Sequence, residues 1–551
     1  MKTSPIFKLL FIRIAVVAIC FFSQIQNSFA QFSQESWIGF WKGDLDLGEA
    51  SLRLIIEVKP VIESSTPMQL KSSLDVPAQG AKGIGFNATE IKNNKITWVC
   101  SAIGASCAGE RKDSITIEAI WEQGGKEFPL TLKRSAQRFS TKPQTPKPPF
   151  GYITRTAQFS HPSGKLSFGG TLTVPNDSLL QLFEKNQQIQ QQKRENSTFT
   201  PAENAAASMS LNSVIAPRIA SHPYIVRGKT EGITRYPVVL LISGSGTQDR
   251  DETIGDHKPF AVWADYLSLR GVAALRVDDR GMNASKGEPE FLQKTTTESL
   301  VEDAMAAIEW LKTQPDIDTN FIFLLGHSEG ANIALKVAKK SSNIRGVITL
   351  AGMVEKGVET SIYQLKPIWK ANGADEETVQ SLANLTRTCA AASARYKDVN
   401  AAKKFAQDSL LKHKAFAPAF KYLNTFEVKQ TKQKNILGYL SKRIGEDYQQ
   451  PWIQYFMQYD PSVDFKNNEV ALLMIQGKKD KQIDAVAAKA LAQQLEAEGK
   501  YVQYREFGQL NHMLQHANTG NVDEYFTIEE TLAGEVPAIT MSWLQVQLTG
   551  R

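Results

Sequence analysis

Two residue types that often build catalytic and metal sites are scarce here: the 551-residue chain has 7 histidines and 4 cysteines. No grouping of them with aspartate or glutamate has zinc-ligand spacing, and no calcium-loop pattern occurs, so no metal is expected. No cofactor is implied either. The glycine-rich string Ser243-Gly-Ser-Gly246 lacks the Lys-Ser/Thr ending of a phosphate loop and the full spacing of a dinucleotide fingerprint. A strong charge of one sign is also missing. The 63 Lys and Arg stand against 57 Asp and Glu, a formal charge of +6, with no basic stripe. That removes the electrostatic case for a nucleic-acid partner. Beyond the first 30 residues, no apolar run approaches the ~20 residues of a membrane-spanning helix.

The N-terminus is different. Lys2, Lys8 and Arg13 flank the apolar stretch Ile14 to Phe22, and Ser28-Phe29-Ala30 follows a polar interval. A basic start, an apolar segment and small residues before a cleavage point describe a secretory signal in residues 1–30, leaving Gln31 first. A retained anchor is the alternative, but the apolar run is short for one. A lipoprotein reading through Cys20 is weaker, because Ile19 before it is not small. The expectation is an exported protein, periplasmic or secreted, with no stable membrane span once the signal is removed. In an oxidising compartment Cys100 and Cys107, on either side of Gly104, suit a disulfide-closed hairpin, with two buried thiols as the alternative. Cys389 is then an unpaired small apolar residue on a helix.

What is present divides the chain. Residues 31–135 alternate with period two in Ser51-Leu-Arg-Leu-Ile-Ile-Glu-Val58, Lys95-Ile-Thr-Trp-Val99 and Ser114-Ile-Thr-Ile-Glu-Ala-Ile-Trp121. Turn residues separate these runs, which predicts a small antiparallel β domain. A Pro-rich linker over 136–150, expected to be extended and stiff, comes next. In 151–551 the pattern changes. After alternating strands up to Pro175 comes a polar insertion, 176–235, with a Gln-rich centre near 186–212 that suggests a flexible surface segment. Val238-Val-Leu-Leu-Ile242, Val272-Ala-Ala-Leu-Arg-Val277, Phe321-Ile-Phe-Leu-Leu325, Arg345 to Leu350, Val470 to Ile475 and Tyr501 to Phe507 are buried-strand runs. Helical stretches separate most of them. One, from Thr295 to Lys312, opens on what resembles a Thr295/Glu298 capping box. Strands alternating with helices mean a mostly parallel, doubly wound sheet, class α/β. Residues 352–468 carry no strand pattern and read as a helical cap inserted over the site.

The chemistry centres on Gly326-His-Ser-Glu-Gly330, set between a buried strand and a helix. Such a turn exposes the hydroxyl of Ser328, and the flanking glycines clear the space around it. The N–H of Glu329, at the helix start, can face a developing oxyanion. A serine needs a histidine base and an acid to orient it. Only His512 and His516 come late enough in the chain; His512, in the loop past the last strand, is favoured. Asp480, in the turn after the preceding strand, is favoured as the acid over Asp484, which suits a helix N-cap. The second oxyanion donor is expected from the loop 243–251, at Ser245, with Gly246 next. Asp249, Arg250, Asp251 and His257 form a charged cluster by that loop. With Arg280 they either meet substrate or fix loop geometry, and the second reading is preferred.

In order along the chain, Gly244-Ser-Gly-Thr-Gln-Asp-Arg-Asp251, His257-Lys-Pro-Phe260, Asp278-Asp-Arg-Gly281, Gly326-His-Ser-Glu-Gly330 and Leu510-Asn-His512 resemble exported bacterial α/β-hydrolases. These are related to carboxylesterases and the serine aminopeptidase-like (S33-type) group, and often carry an N-terminal β domain. The resemblance implies an α/β-hydrolase fold with a helical cap, the triad Ser328, Asp480 and His512, and esterase activity on short or medium acyl esters. The substrate is then a small-molecule ester or, in the peptidase alternative, a short peptide. A non-catalytic binding protein on the same scaffold is the rival from another class. The Gln-rich insertion is longer than the resemblance leads one to expect.

Overall fold

The computed structural model describes residues 33–46, 51–61, 69–76, 81–135, 142–176, 229–230, 233–425 and 435–549. Residues 1–30, expected to be a signal segment and including Cys20, and nearly all of the expected polar insertion, including 186–212, lie outside the described residues.

The alternating N-terminal runs form one antiparallel sheet of nine strands between Gly39 and Ser135. Its two edge strands, Ala81–Gly85 and Ala88–Lys92, are consecutive in the chain. With only Phe86 and Asn87 between them, the sheet curls until its edges meet. Inside lie Trp37, Trp41, Trp98 and Trp121, all essentially inaccessible. Burying an aromatic of this size is worth roughly 4–6 kcal/mol, so these side chains hold the domain together rather than face a ligand. The disulfide expected between Cys100 and Cys107 is absent; both are buried free thiols. Cys100 pairs with Ala105 across the hairpin and Cys107 with Trp98, so the two are diagonal rather than opposite. Diagonal neighbours stand about 7–8 Å apart, beyond disulfide reach. Cys389 is buried on the helix Glu376–Arg395.

The second sheet runs, in spatial order, Tyr152–Ser160, Leu166–Pro175, Ala273–Val277, Tyr236–Ile242, Ile317–His327, Ile344–Leu350, Ala471–Gly477 and Val502–Phe507. The first two pair antiparallel, as do Leu166–Pro175 and Ala273–Val277; from there all neighbours are parallel. Every residue of Tyr236–Ile242 is buried, which is why its sequence is an unbroken apolar run. Val238, Leu240 and Ile242 pack into one core, and Val239 and Leu241 into the other. Between Ala273–Val277 and Ile317–His327, after the short helix Pro289–Gln293, a longer helix spans Thr297–Lys312. Its capping box uses Thr296 and Ser299 instead of Thr295 and Glu298. Glu298 faces outward and joins Lys336 and Tyr455 instead.

The described part of 352–468 holds helices joined by short connections and no strand, and its longest helix is Glu376–Arg395. The linker is not the free spacer its prolines suggest. Lys142 is buried, and its Nζ donates to the carbonyls of Phe526 (3.3 Å) and Ile528 (2.5 Å). Gln144 takes the N–H of Thr531 and Leu532 and donates to the Leu532 carbonyl. The docking partner is the segment that follows the loop of His512. Among the described residues, no helix is long and apolar enough to cross a membrane.

Candidate active site

The strand Ile317–His327 ends in a turn and the helix Glu329–Lys340 begins. Between them Ser328 has φ 53° and ψ −121°, a left-handed conformation that a non-glycine residue adopts only under constraint. The constraint is visible. A Cβ at Gly326 would run into the Gly330 carbonyl, and one at Gly330 into the Ile242 carbonyl. Ser328 N–H donates to the Leu350 carbonyl at 2.8 Å. The hydroxyl is partly exposed and has no hydrogen-bond partner among the described residues.

His512 and Asp480 come together from separate loops. Nδ1 of His512 lies 2.9 Å from Oδ2 of Asp480, and both side chains are buried. Since a carboxylate accepts, Nδ1 carries the proton, which leaves Nε2 for chemistry. Asp480 also accepts from Gln476 Nε2 and from the N–H of Gln482 and Ile483. Asn511 and Gln515 bond each other reciprocally through backbone and side chain, closing the loop that carries His512. Asp484, the alternative acid, caps the helix Ala485–Ala497. His516, the alternative base, is half-exposed between Glu530 and Glu535 and lies in a bridge with Leu510, not a helical turn.

The loop 243–251 lies over the serine: a Cβ at Gly244 would sit 3.1 Å from Ser328 Cβ. Asp279 holds both ends of its glycine-rich part, accepting from Ser243 Oγ (2.9 Å) and Gln248 N–H (2.8 Å). Burial pushes the Asp279 carboxyl up to about 8 against these donors. The N–H groups of Ser245 and Glu329 have no acceptor among the described residues. Ser245 Oγ donates to Oε2 of Glu329 at 2.7 Å.

A second histidine–carboxylate pair lies behind the first. Nδ1 of His327 is 2.9 Å from Oε1 of Glu252, and its Nε2 is 3.0 Å from the His512 carbonyl. The same Glu252 oxygen accepts the Gly244 N–H at 2.7 Å. Burial alone would lower the His327 pKa, but the Glu252 charge and hydrogen bond raise it, and each ring nitrogen faces an acceptor. The rings of His327 and His512 are 4.9 Å apart. Glu252, held at φ 50°, escaped sequence reasoning because nothing local marks such a residue.

The charged cluster by the loop is structural. Arg250 forks onto Asp278, Arg276 pairs with Asp251, and Arg280 forks onto Asp303. His257 does not belong to it. Its ring is buried against Thr531 Oγ1 and the Tyr525 carbonyl. The cap reaches the site at two places: Tyr363 Oη donates to the Asp480 carbonyl, and Trp452 Nε1 to the Glu329 carboxylate. Neither contact is legible in sequence, since both cross more than a hundred residues.

The chain is similar in part to several known proteins. Esterase EstD of Thermotoga maritima is 34% identical over 160 residues, which is 28% of this chain and 37% of the esterase. An uncharacterised Mycobacterium tuberculosis protein is 33% identical over 102 residues, 18% of this chain and 31% of that protein. The chain thus spans well under half the length of these relatives. Among solved structures, the acylaminoacyl peptidase of Pyrococcus horikoshii aligns over 90% of this chain and 61% of its own, at 13% identity and a TM-score of 0.37. Residues 255–433, which include the Ser328 turn, match the family described as serine aminopeptidase, S33, and the fold that holds them is that of an α/β-hydrolase.

Proposed function

We propose that the chain is an exported serine hydrolase that cleaves carboxylic esters through an acyl-enzyme. The observation that carries this reading is Ser328, held in a strained turn between strand and helix, with the His512–Asp480 pair in the same catalytic order. Ser328 Oγ attacks the ester carbonyl as His512 Nε2 takes its proton. Asp480 keeps the His512 tautomer and stabilises the imidazolium. The N–H groups of Glu329 and Ser245 receive the oxyanion, as two unpaired donors beside the nucleophile can. The proton returns to the leaving alcohol, and water activated by His512 releases the acid.

Ser328→Ala is expected to lower kcat on a nitrophenyl ester by on the order of a thousandfold or more; turnover near wild type would refute the assignment. The S33 match favours a second reading, a peptidase or amidase on the same residues. Faster turnover of aminoacyl or dipeptidyl anilides than of the nitrophenyl ester would make that reading the right one. Export rests on the pattern of residues 1–30. N-terminal sequencing of protein recovered from outside the cytoplasm should start at Gln31, and a retained Met1 would count against a cleaved signal.

A further inference from the structure

The side chain of Glu329 is left unused by the mechanism above, which needs only its N–H. It is 2% exposed and reaches three other parts of the chain. Thr297 Oγ1, on the helix packed alongside, donates to Oε1 at 2.6 Å. Ser245 Oγ donates to Oε2 at 2.7 Å. Trp452 Nε1, on the cap helix Pro451–Gln458, lies 2.9 and 3.1 Å from the two oxygens.

We propose that the Glu329 carboxylate is a positioning group that couples the cap to the oxyanion site, so that Trp452 and the Ser245 loop influence turnover through it. This rests on the reading of Ser328 as nucleophile and of Ser245 and Glu329 as oxyanion donors. The chemistry of the three partners singles out glutamate. Burial raises the Glu329 pKa, and the bonds from Thr297, Ser245 and Trp452 work against that rise; as a carboxylate the group offers acceptors only, enough for all three donors. The indole N–H is a donor and nothing else. Glutamine in its place would force one hydroxyl to turn from donor to acceptor, and would leave the indole N–H, which lies near both oxygens, beside an NH2.

The surroundings make the Ser245 side chain responsive to this contact, while its carbonyl accepts from Gln248 Nε2 at 3.3 Å. Its neighbours in the loop are fixed elsewhere: Ser243 and Gln248 by Asp279, and Gly244 by Glu252. Between them, the Ser245 hydroxyl is tied to Glu329. The two oxyanion donors are therefore cross-linked by the side chains of the residues that carry them. The cap end is anchored too. Trp452 stacks on Phe456 with centroids 4.9 Å apart, and Tyr455 Oη donates to Glu298 at 2.8 Å. A shift of helix Pro451–Gln458 on the body pulls on Glu329 through Trp452, and through Glu329 on Ser245.

The test is a double-mutant cycle on kcat for a nitrophenyl ester. Active sites are counted by fluorophosphonate labelling, so that a folding defect is separated from a turnover defect. Ser245→Ala removes a hydroxyl and keeps the N–H; Trp452→Phe removes the indole N–H and keeps an aromatic ring. Each is expected to lower kcat per labelled site by about five- to tenfold, and the pair together by about the same factor rather than the product. In Glu329→Gln, kcat per site is expected to fall by at least as much, with neither second substitution adding more than about twofold. Multiplicative effects of the pair would overturn the proposal, as would Glu329→Gln turning over at the wild-type rate. Should Glu329→Gln fail to fold, the Ser245/Trp452 cycle decides alone. Absence of labelling in the wild-type protein would instead sink the nucleophile reading.

Discussion

His257 stays uncharged where most histidines begin to titrate. Burial lowers its pKa from 6.5 to about 4, and the nearby Lys142 charge adds to that. The unfolded chain therefore binds a proton as pH falls below 6.5, and the native protein does not until about 4. Stability falls across that interval, by up to roughly 3 kcal/mol from this one group. Denaturant unfolding between pH 7 and pH 4.5 should show the slope, and His257→Gln should flatten it; an unchanged slope in that variant would exclude His257 as the source. The residue also shows where sequence reading stops. His257 stands within a charged string, so it was grouped with Asp249 and Arg250, yet its partners are Thr531 and Tyr525. Ser328, Asp480 and His512 are proposed on firmer local ground, because a strained turn needs glycines at fixed offsets and chain order leaves few candidates, and the structure pairs His512 with Asp480. Glu252 and the Glu329 side chain act through contacts that no local pattern encodes.

At the scale of elements, periodicity located the buried strands to within a few residues. The unbroken run at Tyr236–Ile242 is buried on both faces, and the inward alternation of Lys95–Cys100 is that of its sequence. The strand Ile317–His327 extends beyond the run Phe321 to Leu325 because its first residues pair without being apolar throughout. Caps were less legible, since several Ser and Thr compete at one helix start. Helix Thr297–Lys312 begins after Thr296, whose side chain accepts from the Ser299 N–H while the Ser299 hydroxyl receives the Thr296 N–H. Thr296→Ala should cost about 1 kcal/mol of stability. A denaturant midpoint identical to wild type would mean that the cap is idle.

For the whole molecule, composition announced two regions but not how they meet. Pro-rich sequence predicts stiffness, and says nothing of where the linker lands. Lys142 and Gln144 land on residues 526–532, the chain that runs on from the loop of His512. Desolvation lowers the Lys142 pKa there, and two carbonyls accept from its Nζ. Gln144→Ala strips three hydrogen bonds from Thr531 and Leu532, each worth about 1 kcal/mol. Hydrogen exchange at those two amides should then quicken by tenfold or more, and unchanged protection would show that the linker does not hold the segment.

The cap has a further consequence, in time. The strands Ile344–Leu350 and Ala471–Gly477 are neighbours in the sheet, yet roughly 120 residues of cap are synthesised between them. At about 5–20 residues per second, that interval lasts roughly 6–24 seconds. Throughout it, Ile344–Leu350 offers an open apolar edge of the kind that invites pairing with other chains. Asp480 and His512 both lie beyond the strand that covers this edge, so the Ser328 turn is synthesised well before the two residues proposed to activate it.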